Sequence, residues 1–244
     1  MMDWKKMTSL RRPNATSLLG LALDGNRLDG VWLKRVNGAL HMQASFSVAL
    51  ALDPLTAAPE LAGREIRNHL DAAEIRERRC VVALPLKWVM AAHAALPPLP
   101  EAEAASFLQI EAERSFPCDV ATLVTATSFC QAASGQRHAA ILAVPRNQVA
   151  TLEAVLRAAK LQPESFSPGI TALQPAERAG ALALTIGESH VGLQVICGGG
   201  VVALRALEGA MESEGGRRIL RGDVVAREAR ITLGQLPEEL RATV

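Results

Sequence analysis

The dipeptide Asn37-Gly38 sits between two runs with alternating apolar residues, Leu28–Val36 and Ala39–Val48, and it fixes how they relate. Asn-Gly accepts the two positive φ angles of a type I′ turn, whose twist matches that of paired strands, so the runs predict an antiparallel hairpin. Leu18–Leu23 precedes it across a second polar turn, Asp24-Gly25-Asn26, which makes the opening a three-stranded meander. The same order of strand, polar turn, strand, turn, strand returns at Ala181–Ile186, Val191–Cys197 and Val201–Leu207. Such a chain reads as an α/β protein duplicated in architecture rather than in residue identities.

Between the meanders the pattern changes. Leu61–Leu70, after Pro59, has helical spacing, with Leu61, Ile66 and Leu70 as the expected buried stripe. Cys80–Leu84 is a short continuous apolar run stopped by Pro85, which reads as a covered central strand. The cluster Pro97-Pro98-Leu99-Pro100 marks a junction, followed by a helix over Glu101–Ser115 with acidic residues in its first turn. Phe116-Pro117 ends that helix, because the proline ring disfavours helical geometry at the residue before it. Ala121–Cys130 and His138–Val144 are strand candidates around a Ser134-Gly135 turn, Asn147–Lys160 is a helix, and Gln162–Pro175 reads as a Pro- and Ser-rich connector. Glu212–Leu236 is charged and mixed, most simply one solvent-facing helix. The resulting boundaries are a flexible leader over 1–17, a first unit over 18–96, an inserted α+β unit over 97–161, the connector over 162–175 and a partial second unit over 176–244.

Composition narrows the function. With 49% hydrophobic residues in 244, the chain supplies a sizeable core and is not intrinsically disordered. Lys and Arg number 26 against 25 Asp and Glu, so the bulk charge offers nothing to a polyanion, and aromatics at 3% remove the stacking platforms of single-strand binders. No nucleic-acid partner is expected. Cys80, Cys118, Cys130 and Cys197 are scattered without Cys-x-x-Cys spacing, which points to reduced thiols in a cytosolic protein. No apolar run reaches the roughly 18 residues of a membrane span. The leader carries Lys5, Lys6, Arg11 and Arg12 without a signal-peptide core, so it reads as a frayed tail or as a weak attraction to an anionic membrane surface.

Catalytic and metal motifs are missing. His41, His69, His93, His138 and His190 are isolated from one another in the sequence and from the cysteines, so no metal site is expected. Gly187-Glu188-Ser189-His190-Val191 lacks the closing glycine of a nucleophile elbow and lies between two strands, where that elbow needs a strand and a helix. Gly198-Gly199-Gly200 reads as a hairpin turn, with phosphate cradling as the remoter alternative. The turns Asp24-Gly25-Asn26 and Gly187-Glu188-Ser189 carry more interest, since tight turns aim backbone N–H groups at phosphates and nearby carboxylates hold hydrated Mg²⁺.

Several stretches occur in an order that resembles a known family. They are Leu19-Gly20-Leu21-Ala22-Leu23-Asp24-Gly25, Val81-Val82-Ala83-Leu84-Pro85, the Leu96-to-Pro100 junction, Ile141-Leu142-Ala143-Val144-Pro145-Arg146 and Leu161-Gln162-Pro163. The most specific is Phe107-Leu108-Gln109-Ile110-Glu111-Ala112-Glu113-Arg114-Ser115-Phe116-Pro117. From Leu18 to Leu236 the chain is similar to the PilM family of actin-like pilus-assembly proteins and to the related cytoplasmic part of the type II secretion protein GspL. The resemblance implies an actin-like, ribonuclease H-like fold of two meander units with a small inserted α+β unit. It also implies facing turns that hold ATP: Asp24, Gly25 and Asn26 opposite Gly187, Glu188 and Ser189.

The departures from the family bear on that site. Where the family has an Asp within the first strand this chain has Ala22, and where the second meander would bear another, it has Thr185. The later strands and the glycine-rich turn that cradle adenosine do not follow Leu236, so the C-terminal part is expected to be incomplete. Asp24 and Glu188, turned inward without metal, would repel phosphates. No cofactor is therefore expected, and ATP with Mg²⁺ is disfavoured.

The resemblance implies a cytoplasmic scaffold at the inner membrane, docking the N-terminal tail of a bitopic, PilN-like partner in a pilus or type II secretion assembly, with self-association left open. Leu86, Trp88, Phe107 and Ile110 are the candidate docking wall, because they flank the junction and include large side chains in a chain with few. Ordinary core is the alternative reading of these four. An ATP-hydrolysing actin-like enzyme and an unrelated α/β protein are the competing functions.

Overall fold

A computed structural model describes residues 16–173, 180–214, 217–242 and 244. The opening meander is strands β1 (Ser17–Asp24), β2 (Arg27–Val36) and β3 (Ala39–Ala49), antiparallel in sequence order. Asn37 and Gly38 have φ of 52° and 83°, the pair of positive angles that the turn requires. Helix α1 (Pro59–Ala72) then returns the chain to β4 (Arg79–Leu84), which runs parallel to β1.

Gln162–Pro168, expected within a connector, is instead strand β8, parallel to β4 at the edge of the same sheet. Prolines 163 and 168 hid it. An edge position tolerates residues that cannot donate to a ladder, and the register slips beside the first of them, between Cys80 and Val81. The first sheet therefore has the order β3-β2-β1-β4-β8.

Leu19, Leu21 and Leu23 alternate on β1 and face the same layer as Cys80, Val82 and Leu84 of β4. That face is covered by α1 and by α3 (Arg146–Ala158), which brings Leu152, Val155 and Leu156 to the core. The row of α1 that is buried is Ala62, Ile66 and Leu70, at i, i+4, i+8, while Leu61 is 50% exposed. Ile66 and Leu70 are buried as expected, and Ala62 takes the place expected for Leu61 beside Gly63, which sits at the helix crossing. A Cβ there would lie 2.6 Å from that of Ala158 and 2.7 Å from the Val155 carbonyl oxygen, so the two helices meet along their smallest residues.

The second layer is a separate antiparallel sheet, β5-β7-β6, formed by Met90–Leu96, Arg137–Pro145 and Leu123–Gln131. It carries helix α2 (Glu101–Ser115), whose Ala104, Leu108 and Ala112 form the buried row against Ala94, Ala139 and Ile141. Phe116 has extended geometry, φ −92° and ψ 142°, and ends the helix before Pro117 as the sequence implies. The sheets divide the chain differently from the expected boundary: β5 lies before Pro97 yet belongs to this sheet, and α3 packs on the first.

The second meander is β9 (Ala181–Ile186), β10 (Val191–Cys197) and β11 (Gly200–Leu207), in the order β11-β10-β9. Where one helix was expected from Glu212, the chain makes a hairpin, β12 (Met211–Glu214) and β13 (Arg217–Leu220), before α4 (Gly222–Gln235) and the short α5 (Glu238–Arg241). Leu233 and Leu236, with Val224 and Val225, close α4 over β10 and β11, and Leu240 of α5 is completely buried. Each fully covered leucine of this kind contributes about 1.5–3 kcal/mol.

Candidate functional site

β1 and β2 are joined by Gly25-Asn26, with Gly25 at φ 64°, a conformation that a side chain would strain. Asn26 anchors this turn to the end of β3: its carbonyl accepts the Leu50 N–H at 2.7 Å, and its side-chain amide donates to the Leu50 oxygen at 3.4 Å. The β9–β10 turn runs from Gly187 to His190 and is closed by the Gly187 N–H donating to the His190 carbonyl at 3.0 Å. The two turns come from sheets far apart in sequence and meet in space.

The contact is direct. The Glu188 backbone N–H donates to an Asp24 carboxylate oxygen, and the absence of a side chain at Gly187 leaves room for that carboxylate. The other Asp24 oxygen is buried, lies 3.8 Å from His190 Nδ1 and accepts no hydrogen bond. Glu188 turns its own carboxylate outward, where Arg27 donates to it at 2.7 Å and Arg218 lies 2.8 Å away. Arg27 is held still more firmly in its charged form by hydrogen bonds to Glu188 and Asp29.

Asp24, Gly25, Gly187 and Glu188 are thus brought together, with Asn26 and Ser189 beside them. A phosphate placed here would compete with the Asp24 carboxylate for the Glu188 N–H. Neither Ala22 nor Thr185 supplies a carboxylate, and no group of three or more His, Cys, Asp or Glu among the described residues is arranged to hold a metal ion.

A second seam joins the inserted sheet to the second meander. The Gln131 N–H donates to the Gly198 carbonyl at 3.1 Å and the Val201 N–H to Ser128 Oγ at 2.9 Å. Gly198 and Gly200 face the β6 backbone so closely that neither has room for a side chain. The glycine run is a hairpin turn, with φ of 56° and 84° at Gly198 and Gly199, and it is also where two backbones touch. Cys130 and Cys197 meet in the same cluster, and their hydrogen bond together with burial pushes the Cys130 thiol up.

The histidines that are isolated in sequence are not all isolated in space. His93 and His138 stack at 5.1 Å between ring centroids, and His138, 1% exposed, reaches Glu239 of α5 at 2.9 Å. Ser134 holds the other oxygen of the same carboxylate at 2.7 Å. The Glu239 carboxyl is lowered by the Ser134 hydrogen bond first and by His138 second. His138 and Glu239 are 101 positions apart, and nothing in their local sequence signals the contact.

The four candidate docking residues do not form one wall. Leu86 is buried with Leu142, Ile170 and Leu204, Trp88 is half-buried against the first sheet's core, and Phe107, on α2, is half-buried against the inserted sheet's core. Ile110 is 53% exposed on the outer side of that helix.

No protein-family model and no curated protein matches the chain. Solved structures do. A chain of the PilM-PilN type IV pilus biogenesis complex aligns with a TM-score of 0.64 and 25% identity, over 79% of this chain and 62% of that one. The chain is PilM-like in fold. The cytoplasmic domain of EpsL, an inner-membrane component of the type II secretion system of Vibrio cholerae, aligns with a TM-score of 0.55 and 18% identity, over 79% and 71% of the two chains. The fold is therefore the actin-like one that the family resemblance implies. This chain spans less than two thirds of the length of the first of these neighbours. No helix among its described residues is long and apolar enough to cross a membrane.

Proposed function

We propose that this protein is a cytoplasmic scaffold of a type IV pilus or type II secretion assembly, peripheral to the inner membrane, which docks the N-terminal tail of a bitopic, PilN-like partner. The observation that carries the reading is the likeness, at 25% identity, to a chain solved in the PilM-PilN complex. The geometry of the turns supports a role without nucleotide turnover. Asp24 occupies a backbone donor for which a phosphate would compete, and Glu188 is committed to Arg27 and Arg218. This arrangement is the support for expecting no Mg²⁺-ATP at the turns.

The groove between the first sheet and the inserted unit is the proposed dock, with Trp88, half-buried on the first sheet's side, and Phe107 and Ile110 of α2, on the inserted unit, as the residues to test. Leu86 is core and takes no part. Titration calorimetry with the cytoplasmic N-terminal tail peptide of a PilN-like single-span protein from the same organism tests the reading. Specific binding, weakened about tenfold or more by Ile110→Glu, is the expected result, in line with losing one anchoring side chain. No binding to that tail, with the protein folded, refutes the scaffold reading. Binding unaffected by Ile110→Glu and by Trp88→Ala with Phe107→Ala moves the dock elsewhere.

A further inference from the structure

The end of the first sheet remote from the two turns collects cations. β1, β4 and β8 all begin there, and α1 and α3 both finish there. Arg67, Arg76, Arg78 and Lys160 line one open hollow of about 270 Å³, and Asp71 is the one carboxylate in its lining. Asp71 is taken up by Arg67, whose Nε donates to it at 2.9 Å and whose Nη2 also reaches the Ile75 carbonyl. Arg76, Arg78 and Lys160 are exposed and add positive charge that nothing else in the lining balances. This is a local concentration, because the whole chain carries a net charge of only +1.

The same end has an apolar projection. Past Ser17 the β2–β3 hairpin continues beyond the body of the sheet, since Ser17 pairs with Lys34 and the strands run on to Val36 and Ala39. Val36, Leu40 and Met42 on this tip are 42%, 62% and 66% exposed, beside the exposed Lys34 and Arg35. The N-terminal segment joins here too, because the Arg35 N–H donates to the Thr16 carbonyl at 2.8 Å. That segment bears Lys5, Lys6, Arg11 and Arg12 against one acid, Asp3.

We infer that this end of the molecule is a docking face for an anionic phospholipid bilayer, with Arg76, Arg78 and Lys160 on lipid phosphates and Leu40 and Met42 in the headgroup layer. Charge complementarity selects the surface, and the attachment of a basic segment at the same end adds to it. Exposed aliphatic residues among cations are the pattern that an interface with a charged rim and an apolar interior rewards. A soluble phosphate explains the hollow but leaves the apolar tip unused. The inference goes beyond the scaffold reading and stands whether or not the tail peptide binds.

Co-sedimentation of the full chain with vesicles tests it, comparing phosphatidylcholine alone with phosphatidylcholine mixed with phosphatidylglycerol. Binding to the mixed vesicles only, weakening as salt is raised, is expected. Each cation removed near such a surface lowers partitioning about fivefold, so Arg76→Gln, Arg78→Gln and Lys160→Gln together lower it about a hundredfold. All three positions are exposed, and an unchanged melting temperature checks that the fold is kept. Leu40→Ser with Met42→Ser lowers binding while leaving its salt dependence unchanged. Equal sedimentation with both vesicle types overturns the proposal. So does loss on Lys5, Lys6, Arg11 and Arg12→Gln with no effect of the triple variant. If inorganic phosphate stabilises the protein through Arg76, Arg78 and Lys160 while no vesicle binds, the ligand is a free anion and the proposal fails. Binding of soluble polyglutamate in place of vesicles overturns it in favour of an acidic protein partner.

Discussion

Asp24→Ala separates the two roles that a carboxylate between facing turns can have. In the structure Asp24 accepts the Glu188 N–H and stands near His190, so it ties the first sheet to the second meander. A hydrogen bond to a charged acceptor is worth about 1.5–3 kcal/mol when its loss leaves a buried donor without a partner. The Asp24 side chain is 21% exposed, so water recovers part of that, and a loss of about 1–2 kcal/mol is expected. For a chain of this size the melting temperature then falls by about 2–8 °C. Urea unfolding of the wild type and the variant measures the change. The Arg27–Glu188 pair, at 38% and 32% side-chain exposure, stays, and solvent screens its contribution. The nucleotide arm of the experiment runs the opposite way. A carboxylate within roughly 4 Å of a phosphate costs about 4 kcal/mol at an effective dielectric of 20, so its removal does not weaken Mg²⁺-ATP binding and relieves a repulsion. Weak or undetectable binding to the wild type, not reduced in the variant, is the expected calorimetric result. Micromolar Mg²⁺-ATP binding that Asp24→Ala abolishes would refute the reasoning and promote the ATPase function. Stability unchanged in the variant would refute the tie between the sheets.

Two further outcomes follow from packing and protonation. Gly63→Leu forces α1 away from α3, because the contacts at 2.6–2.8 Å include backbone atoms that cannot step aside, and it lowers stability by about 1–3 kcal/mol or more in urea unfolding. Burial, with the neighbouring His138 second, lowers the pKa of His93, so the folded state resists the proton that the unfolded chain accepts near pH 6.5. The stability this gives is complete above about pH 6.5 and falls as the pH drops towards the folded-state value. His93→Leu flattens that part of the pH–stability curve, and an unchanged slope would count against it.

The regular alternations were legible because each was framed by a residue that allows few geometries. Asn37-Gly38 fixed one hairpin, and Pro100 and Phe116-Pro117 bounded α2 to the residue. What stayed hidden had no such frame. β5 reads Met90-Ala-Ala-His-Ala-Ala-Leu96, and alanine is compatible with either face of a strand and with a helix, so alternation there leaves no trace. β8 was masked by its prolines, and the β12–β13 hairpin by its charged residues. The candidate site divides in the same way. Its turns were visible as Gly- and Asp-bearing breaks, but the tie from Asp24 to Glu188 spans 164 positions, and the Glu239 contact of His138 spans 101.

Comparison of β1 with β9 shows what an alternating pattern does and does not encode. Ser17–Asp24 and Ala181–Ile186 both alternate, and each opens a meander. On β1 the row Leu19, Leu21 and Leu23 is at most 5% exposed, because β4 and β8 extend the sheet beyond it and α1 and α3 lie across the whole. On β9 the row Leu182, Leu184 and Ile186 is 36%, 42% and 64% exposed. It lies on the same face as Val195, Leu193 and Val191, its register partners, which are completely covered. The difference is the cover: α4 packs over β10 and β11, and among the described residues no strand pairs with the outer edge of β9. Period-two spacing chooses the face of a strand, whereas burial depends on elements that other parts of a chain supply. An apolar row at an unprotected edge is also the surface most prone to pairing with further strands. For these reasons the two meanders look alike in sequence while the opening strand's apolar row is covered in the first and exposed in the second.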